Sequence, residues 1–223
     1  MIKSTSYYVT SQLPRLLFGI YLSEVAKALR GCSSCLDIGC GEGSPLRLIG
    51  LDYLAGLDGH APSLEEAKRN RTHDEFHCAD VRTIGALFPP GRFDACVALD
   101  LIEHLTKDDG LRLLEDMEMI ASRRVIIFTP NGFIPQQSRD GDLQEHLSGW
   151  EAGEMRSLGY EVIGLHGPKI LRGEYHKPRH LPRSVAGVVS AAGHLLYNRA
   201  HPESAAALLC VKILDRGGRG HEA

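Results

Sequence analysis

At residues 36–45 the chain reads LDIGCGEGSP, a short apolar segment that runs directly into three alternating glycines. Glycines in this spacing let the backbone turn sharply and let a ligand approach without a Cβ in the way. Ser44 is a good N-cap and Pro45 is a good first helical residue, so a helix is expected to follow. The stretch therefore predicts a strand, a ligand-binding loop and a helix in succession.

Short apolar segments alternate with helical patterns along the rest of the chain. The segments expected as strands are 35–38, 53–57, 75–78, 93–99, 125–129, 160–165 and 206–214. Helices are expected at about 13–30, 107–121 and 149–158, where apolar residues recur at helical spacing. This alternation is typical of an α/β fold with a parallel sheet, in which right-handed crossovers place helices on both faces.

The strand and helix pattern predicts three parts: an N-terminal helical segment (1–30), a core domain (31–166 and 204–215) and an insertion (167–203). The insertion is basic, with Lys169, Arg172, Lys177, Arg179, Arg183 and Arg199 against Glu174 and Glu203. Its second half spaces apolar residues along one helical face, namely Val185, Val188, Val189, Ala192, Leu195 and Leu196. We expect the insertion to be a lid, an acceptor-binding segment or a dimer contact.

The composition is that of an ordinary globular protein and excludes several classes. The net charge of -3 gives no basic footprint, so a nucleic-acid partner is not expected. No apolar run reaches the roughly 18 to 20 residues of a membrane span, and no secretory segment is expected. A cytoplasmic location with six reduced cysteines follows as an expectation. The close pair Cys32 and Cys35 has no second pair that would complete a metal site.

Two further predicted strands lead into a carboxylate, Asp58 after the second and Asp80 after the third. Residues 53–58 end at Asp58, where a doubly wound sheet places the acceptor for the ribose hydroxyls of a nucleotide. A lone Asp at a strand end is also a common turn residue. The third residue after Gly41 is Ser44 rather than glycine or alanine, which disfavours a dinucleotide such as NAD.

The D-x-G-x-G-x-G spelling at residues 37–43 resembles the first motif of class I S-adenosylmethionine-dependent methyltransferases. FDACVALDLIEHL at 93–105 is similar to the ubiquinone-biosynthesis type of small-molecule methyltransferase, and TPN at 129–131 and EHLSGW at 145–150 follow in that family's order. The resemblance covers roughly residues 33–165 and a last strand, but not the insertion. It implies a Rossmann-like, doubly wound, seven-stranded sheet, mostly parallel with one antiparallel strand, and S-adenosylmethionine as the cofactor.

The resemblance also implies roles for the strand ends. Asp37 suits the cationic amino group of the donor, Asp58 suits the ribose and Asp80 suits the adenine amino group, although an Asp before a helix is also a common N-cap. The expected cofactor-binding set is Asp37, Gly39, Cys40, Gly41, Asp58, Gly59, Asp80, Val81, Leu99 and Asp100.

The loop after the fourth strand should lie across the topological switch point from the glycine loop, where the acceptor would dock. A hydroxyl acceptor needs a base, and His104 and His146 are the catalytic candidates because imidazole titrates near neutrality. Similar acidic-plus-histidine arrangements in ubiquinone-type and small-RNA 3′-end methyltransferases hold a divalent ion, which here implies Asp100, Glu103, His104 and His146 as an alternative metal site. The sequence favours the base without a metal.

These observations predict methyl transfer to an acceptor that the sequence does not identify. The simplest acceptor is an oxygen of a small molecule, and the basic insertion would suit an anionic molecule. The protein is expected to be a monomer or a homodimer. Two alternatives are a cofactor-binding module without transfer and a methyltransferase that acts on a nucleic-acid end. The glycine spacing disfavours an oxidoreductase.

Overall fold

The computed structural model describes residues 15–135, 145–171 and 183–214. Within these ranges seven strands form one sheet in the order β3-β2-β1-β4-β5-β7-β6. Only β7 runs antiparallel to its neighbours there, which confirms the predicted fold class. The strands are β1 Ser34–Ile38, β2 Tyr53–Asp58, β3 Glu75–Cys78, β4 Phe93–Leu99, β5 Ala121–Pro130, β6 Glu161–Pro168 and β7 Ala205–Ile213.

Helices cover both faces of the sheet. The α-helices of the described residues are α1 Arg15–Ala28, α2 Ala61–Arg69, α3 Ile84–Leu87, α4 Lys107–Ile120, α5 Ala152–Ser157 and α6 Arg183–Gly193. After the glycine loop, Ser44 accepts a hydrogen bond from the Leu46 amide as predicted for an N-cap, but the helix is a short 3-10 segment, Pro45–Ile49. A π-helix, His194–Asn198, continues α6 directly.

Strand alternation divides the core into two layers. Leu36 and Ile38 of β1 enter the layer that contains α4, whereas Cys35 enters the layer that contains α1. Asp37 shares the face of Cys35, because successive side chains of a strand point to opposite sides. This alternation directs the carboxylate at the end of β1 toward the side of the sheet that α1 covers.

The β6–β7 connection packs closely on the sheet. A Cβ added at Gly164 of β6 would lie 2.1 Å from the carbonyl oxygen of Asn198, so only glycine fits beneath the π-helix. The predicted apolar face of this segment points away from the sheet: Val188 is 65% exposed, Leu195 69% and Leu196 85%. The side chains that are buried are Ser190, Ala191, His194 and Asn198.

Part of the insertion lies outside the described residues, namely Arg172, Lys177 and Arg179 of its basic set, and the side chains of Arg183 and Val185 do too. The proposed three-part organisation therefore stays a prediction. Among the described residues, every helix is too short or too polar to cross a bilayer.

Candidate active site

The glycine loop lies at the carboxyl edge of the sheet, between the ends of β2 and β4. Gly39 and Gly41 have positive φ angles of 75° and 55°. A Cβ at Gly39 would lie 2.9 Å from the Leu101 side chain, so the loop fits against the turn after β4 only with glycine there. The amides of Gly39 and Cys40 donate to the Leu57 carbonyl at 2.7 and 3.1 Å, which fixes the loop to β2.

Asp58 sits beside this loop, as predicted. Its Oδ2 accepts from the Gly41 amide at 2.8 Å and its Oδ1 accepts from the His60 amide at 2.7 Å. The bond from the His60 amide is a local turn contact, the alternative role that the sequence allowed for Asp58. Each carboxylate oxygen has a second lone pair, so both can still accept from a pair of hydroxyls. Gly59, between Asp58 and His60, is exposed.

Asp80 is placed differently from Asp58. It is the N-cap of a short 3-10 helix, Val81–Thr83, where its side chain accepts from the Arg82 amide. The Arg82 guanidinium also pairs with this exposed carboxylate and holds its pKa below the ordinary value. Asp80 thus serves as the cap that the sequence allowed, and an adenine amino group would compete with Arg82 for it.

Two groups near Asp37 were not foreseen from the sequence. His73 reaches the buried carboxylate of Asp37, with Nε2 3.0 Å from Oδ2. Tyr21 of α1 is buried edge to face against Phe128, and burial together with the nearby carboxylates of Asp100 and Asp37 raises its pKa well above the ordinary value. The N-terminal helix therefore packs close to the carboxylates of Asp37 and Asp100.

The turn after Leu99, the last residue of β4, is held in an uncommon conformation. Asp100 has a φ of 53°, and its amide donates to the Phe128 carbonyl at 2.9 Å. Its carboxylate is buried, and burial followed by repulsion from Glu103 raises its pKa well above the ordinary value. A positive φ in a non-glycine residue is costly and is often found at functional sites.

Glu103 is buried and hydrogen-bonded on two sides. Its Oε2 accepts from the Thr129 hydroxyl at 3.0 Å, and its backbone carbonyl accepts from the amides of Leu147 and Ser148 at 2.8 and 3.1 Å. Burial raises the pKa of this carboxyl to about 7. The two backbone bonds tie the 145–150 segment, which resembles the family's next signature, to the loop after β4.

His104 and His146 meet beside Glu103. Ring nitrogens of the two histidines and a carboxylate oxygen of Glu103 all lie within 4.8 Å of one another. The Nδ1 of His104 is 3.0 Å from the Glu145 carbonyl and the Nδ1 of His146 is 2.8 Å from the Ile134 carbonyl. Because a carbonyl only accepts, Nδ1 carries the hydrogen in each ring and Nε2 keeps a free lone pair. Asp100 is not a member of this cluster.

Both imidazoles are hard to protonate. Burial, and then the neighbouring His146 ring, lowers the pKa of His104 to about 4. Burial also lowers the pKa of His146. The buried Nε2 of His104 has no hydrogen-bond partner among the described residues. Such an atom is costly unless a ligand satisfies it.

The comparisons with known proteins agree with this geometry. A family model described as a methyltransferase domain matches residues 36–127, which contain the glycine loop and the strand ends that follow it. No curated protein matches the chain in sequence.

Solved structures share the fold at low identity. A SAM-dependent methyltransferase from Archaeoglobus fulgidus is 17% identical with a TM-score of 0.59, over 90% of this chain and 95% of its own. The methyltransferase domain of the bacterial CtHen1-CN protein is 19% identical with a TM-score of 0.55, over 89% and 100%. Magnesium protoporphyrin IX methyltransferase from Synechocystis PCC 6803, solved with bound SAM, is 16% identical with a TM-score of 0.51, over 89% and 81%.

The matched domain gives the class and the structural neighbours give the fold. Residues 36–127 are a methyltransferase domain on a Rossmann-like class I sheet, with S-adenosylmethionine as the cofactor. The missing Cβ atoms at Gly39 and Gly43 and the lone pairs of Asp58 fit the nucleoside end of this cofactor.

Proposed function

We propose that the enzyme methylates an oxygen of a small molecule that docks beside Glu103, His104 and His146. The observation that carries the proposal is the convergence, just after β4, of two imidazole Nε2 atoms with free lone pairs and a buried carboxylate. The similarity of residues 93–105 to the ubiquinone-biosynthesis type supports a small-molecule acceptor. The net charge of -3 does not favour a nucleic-acid end.

The donor would be held by the carboxyl ends of the first strands. We assign the methionine amino group to Asp37 and the ribose hydroxyls to Asp58, with Gly39, Cys40 and Gly41 supplying the close backbone approach. Asp80 and Val81 would contact the adenine edge. Leu99 and Asp100 would then border the sulfonium, because the β4 turn faces the glycine loop across the switch point.

Transfer itself is an in-line displacement. The acceptor oxygen forms a bond to the methyl carbon while the carbon–sulfur bond breaks, and its electron pair stays on the sulfur of S-adenosylhomocysteine. The sulfonium already activates the methyl group, so the protein must align the two reactants and allow the acceptor's proton to leave to a base or to water.

The local chemistry favours metal binding over a simple base. A histidine whose pKa is about 4 is unprotonated at neutral pH but is a weak base, far from the value that suits general-base catalysis. Two Nε2 atoms fixed by Nδ1–H bonds to carbonyls, with a carboxylate beside them, are a typical ligand set for a divalent ion. We therefore assign Glu103, His104 and His146 as ligands. When bound, the ion would lower the pKa of the acceptor hydroxyl and orient it.

The test is a screen for the acceptor. The enzyme is incubated with small-molecule extracts and S-adenosylmethionine carrying a labelled methyl group, and products are sought by mass spectrometry. We expect an enzyme-dependent product whose label is on oxygen. A label on carbon or nitrogen would overturn the proposed acceptor atom, and cofactor binding without any transfer would favour the binding-module alternative. The cytoplasmic location and the monomeric or homodimeric state stay predictions.

A further inference from the structure

We infer that His73 is a positioning residue for the amino-acid end of the methyl donor and acts through Asp37. The inference rests on the proposed role of Asp37 in the cofactor site. His73 belongs to neither the glycine loop nor the strand ends: it lies in the turn between α2 and β3, a part of the chain that the methyltransferase motifs leave unassigned.

The pair is sealed from solvent. The side chains of His73 and Asp37 are 0% and 2% exposed, and Nε2 lies 3.0 Å from Oδ2. An ionised carboxylate can only accept, so Nε2 carries the hydrogen and donates it. On the other side of the ring, Nδ1 is 2.8 Å from the hydroxyl oxygen of Thr72. The imidazole therefore has a partner on each nitrogen and a fixed orientation.

A glycine in the intervening strand makes this contact possible. Gly56 is the register partner of Asp37 in the β1–β2 ladder. A Cβ at Gly56 would lie 2.9 Å from both the Cγ of His73 and the Sγ of Cys40. His73 thus crosses β2 at its only side-chain-free position to reach the carboxylate of β1, and the edge of Phe76 supports the ring from behind, with centroids 5.6 Å apart. A glycine inside a strand often marks such a close approach.

The consequence concerns the second oxygen of Asp37. With Oδ2 occupied by His73, the carboxylate cannot rotate freely, and Oδ1 has no hydrogen-bond partner among the described residues. Without the histidine, this buried carboxylate would lose the one side-chain donor that it has among the described residues, and a buried polar group without its partner is costly. His73 therefore holds the Asp37 carboxylate in one orientation, so that Oδ1 can accept from the donor's ammonium group.

The experiment compares two ligands that differ only at the amino-acid end. S-adenosylhomocysteine carries the amino acid, whereas 5′-methylthioadenosine has the same nucleoside and sulfur without it. Affinities for both are measured by calorimetry with the wild type and with His73→Leu, His73→Gln and Asp37→Asn. His194→Leu is the matched control, because it removes a buried histidine of the β6–β7 connection that bonds the Gly164 carbonyl of β6.

We expect His73→Leu to lower the affinity for S-adenosylhomocysteine by about tenfold or more, the effect of losing one hydrogen bond to a charged group. The affinity for 5′-methylthioadenosine should not change. His73→Gln, whose amide can place an N–H near the Nε2 position, should recover most of the loss. His194→Leu should leave the ratio of the two affinities at its wild-type value.

Each of the following results would overturn the inference. Equal loss of both ligands in His73→Leu would give the residue a purely structural role, as would failure of His73→Gln to recover any affinity. If His73→Leu leaves both affinities at their wild-type values while Asp37→Asn changes their ratio, then Asp37 has the proposed role but His73 does not contribute to it. An unchanged ratio in Asp37→Asn as well would show that the proposed role of Asp37 is wrong.

Discussion

The rings of His104 and His146 meet edge to face, with centroids 4.8 Å apart and planes at 73°. Each ring is anchored through Nδ1 to a backbone carbonyl, so the relative position of the two Nε2 atoms is set by the backbone rather than by free rotation. The second anchor, Ile134, lies shortly after β5, and the first, Glu145, begins the segment that the backbone of Glu103 binds. Three separate stretches of chain thus converge on one site, which is the basis for the predictions below.

Glu103 should make the free protein less stable as the pH rises. Burial raises its pKa to about 7 from an ordinary 4.5, so the folded state keeps a proton that the unfolded state releases between these values. Stability is then lost as pH rises through this window. Glu103→Gln should stabilise the protein by about 1–3 kcal/mol at pH 8 and by little at pH 4.

Denaturant unfolding at the two pH values measures this effect. Glu115→Gln on the exposed side of α4 is the control and should behave like the wild type at both. A gain for Glu103→Gln that is equal at pH 4 and pH 8 would contradict the titration of a buried carboxyl.

Asp58 should matter more for the cofactor than Asp80. Asp58→Ala removes the acceptor proposed for the ribose and the partner of the Gly41 amide, so binding of S-adenosylhomocysteine should weaken by about 2–4 kcal/mol. Asp80→Ala should cost about 1 kcal/mol, the net value of one hydrogen bond. Calorimetry checks both, with exposed Asp52→Ala as the control. A loss below about tenfold in Asp58→Ala would mean that another residue holds the ribose.

Gly164 should be essential for docking the β6–β7 connection. In Gly164→Ala the new Cβ would lie 2.1 Å from the Asn198 carbonyl oxygen and 2.6 Å from the Ala205 Cβ. Overpacking of this kind costs about 1–3 kcal/mol or more, which thermal unfolding detects. Gly153→Ala is the matched control, since a Cβ there meets nothing within 4 Å and α5 should gain up to about 1 kcal/mol. Equal melting temperatures for the two variants would refute the close contact.

The sheet and the glycine loop could be predicted because both depend on local pattern. Alternating apolar runs gave the strands within a few residues, and the glycine spacing marked the loop against which Asp58 packs. The sequence could not distinguish a capping role of Asp80 from a ligand-binding role, because an Asp that precedes a helix looks the same in either case.

Contacts between distant segments were not predictable in the same way. The bond from His73 to Asp37 joins residues 36 positions apart, and neither neighbourhood contains a pattern that pairs them. Gly56 inside a strand was the one available signal. The exposure of the apolar face of α6 was also not foreseen, because periodicity shows that a helix has an apolar face but not whether that face packs on the protein or points to solvent.

The measurement that tests the central claim most directly is the response of activity and of ion binding to chelation. We expect EDTA to abolish methyl transfer, Mg²⁺ or Mn²⁺ to restore it, and Mn²⁺ titration to show one site that is lost in His104→Ala and His146→Ala but kept in exposed His201→Ala. Binding of S-adenosylhomocysteine should survive in all three variants. Full activity in EDTA would contradict the assignment of Glu103, His104 and His146 as ligands. In that case, a loss of about 10²-fold in His104→Ala or His146→Ala would establish a histidine base, and near-wild-type rates in both would leave alignment alone as the source of catalysis.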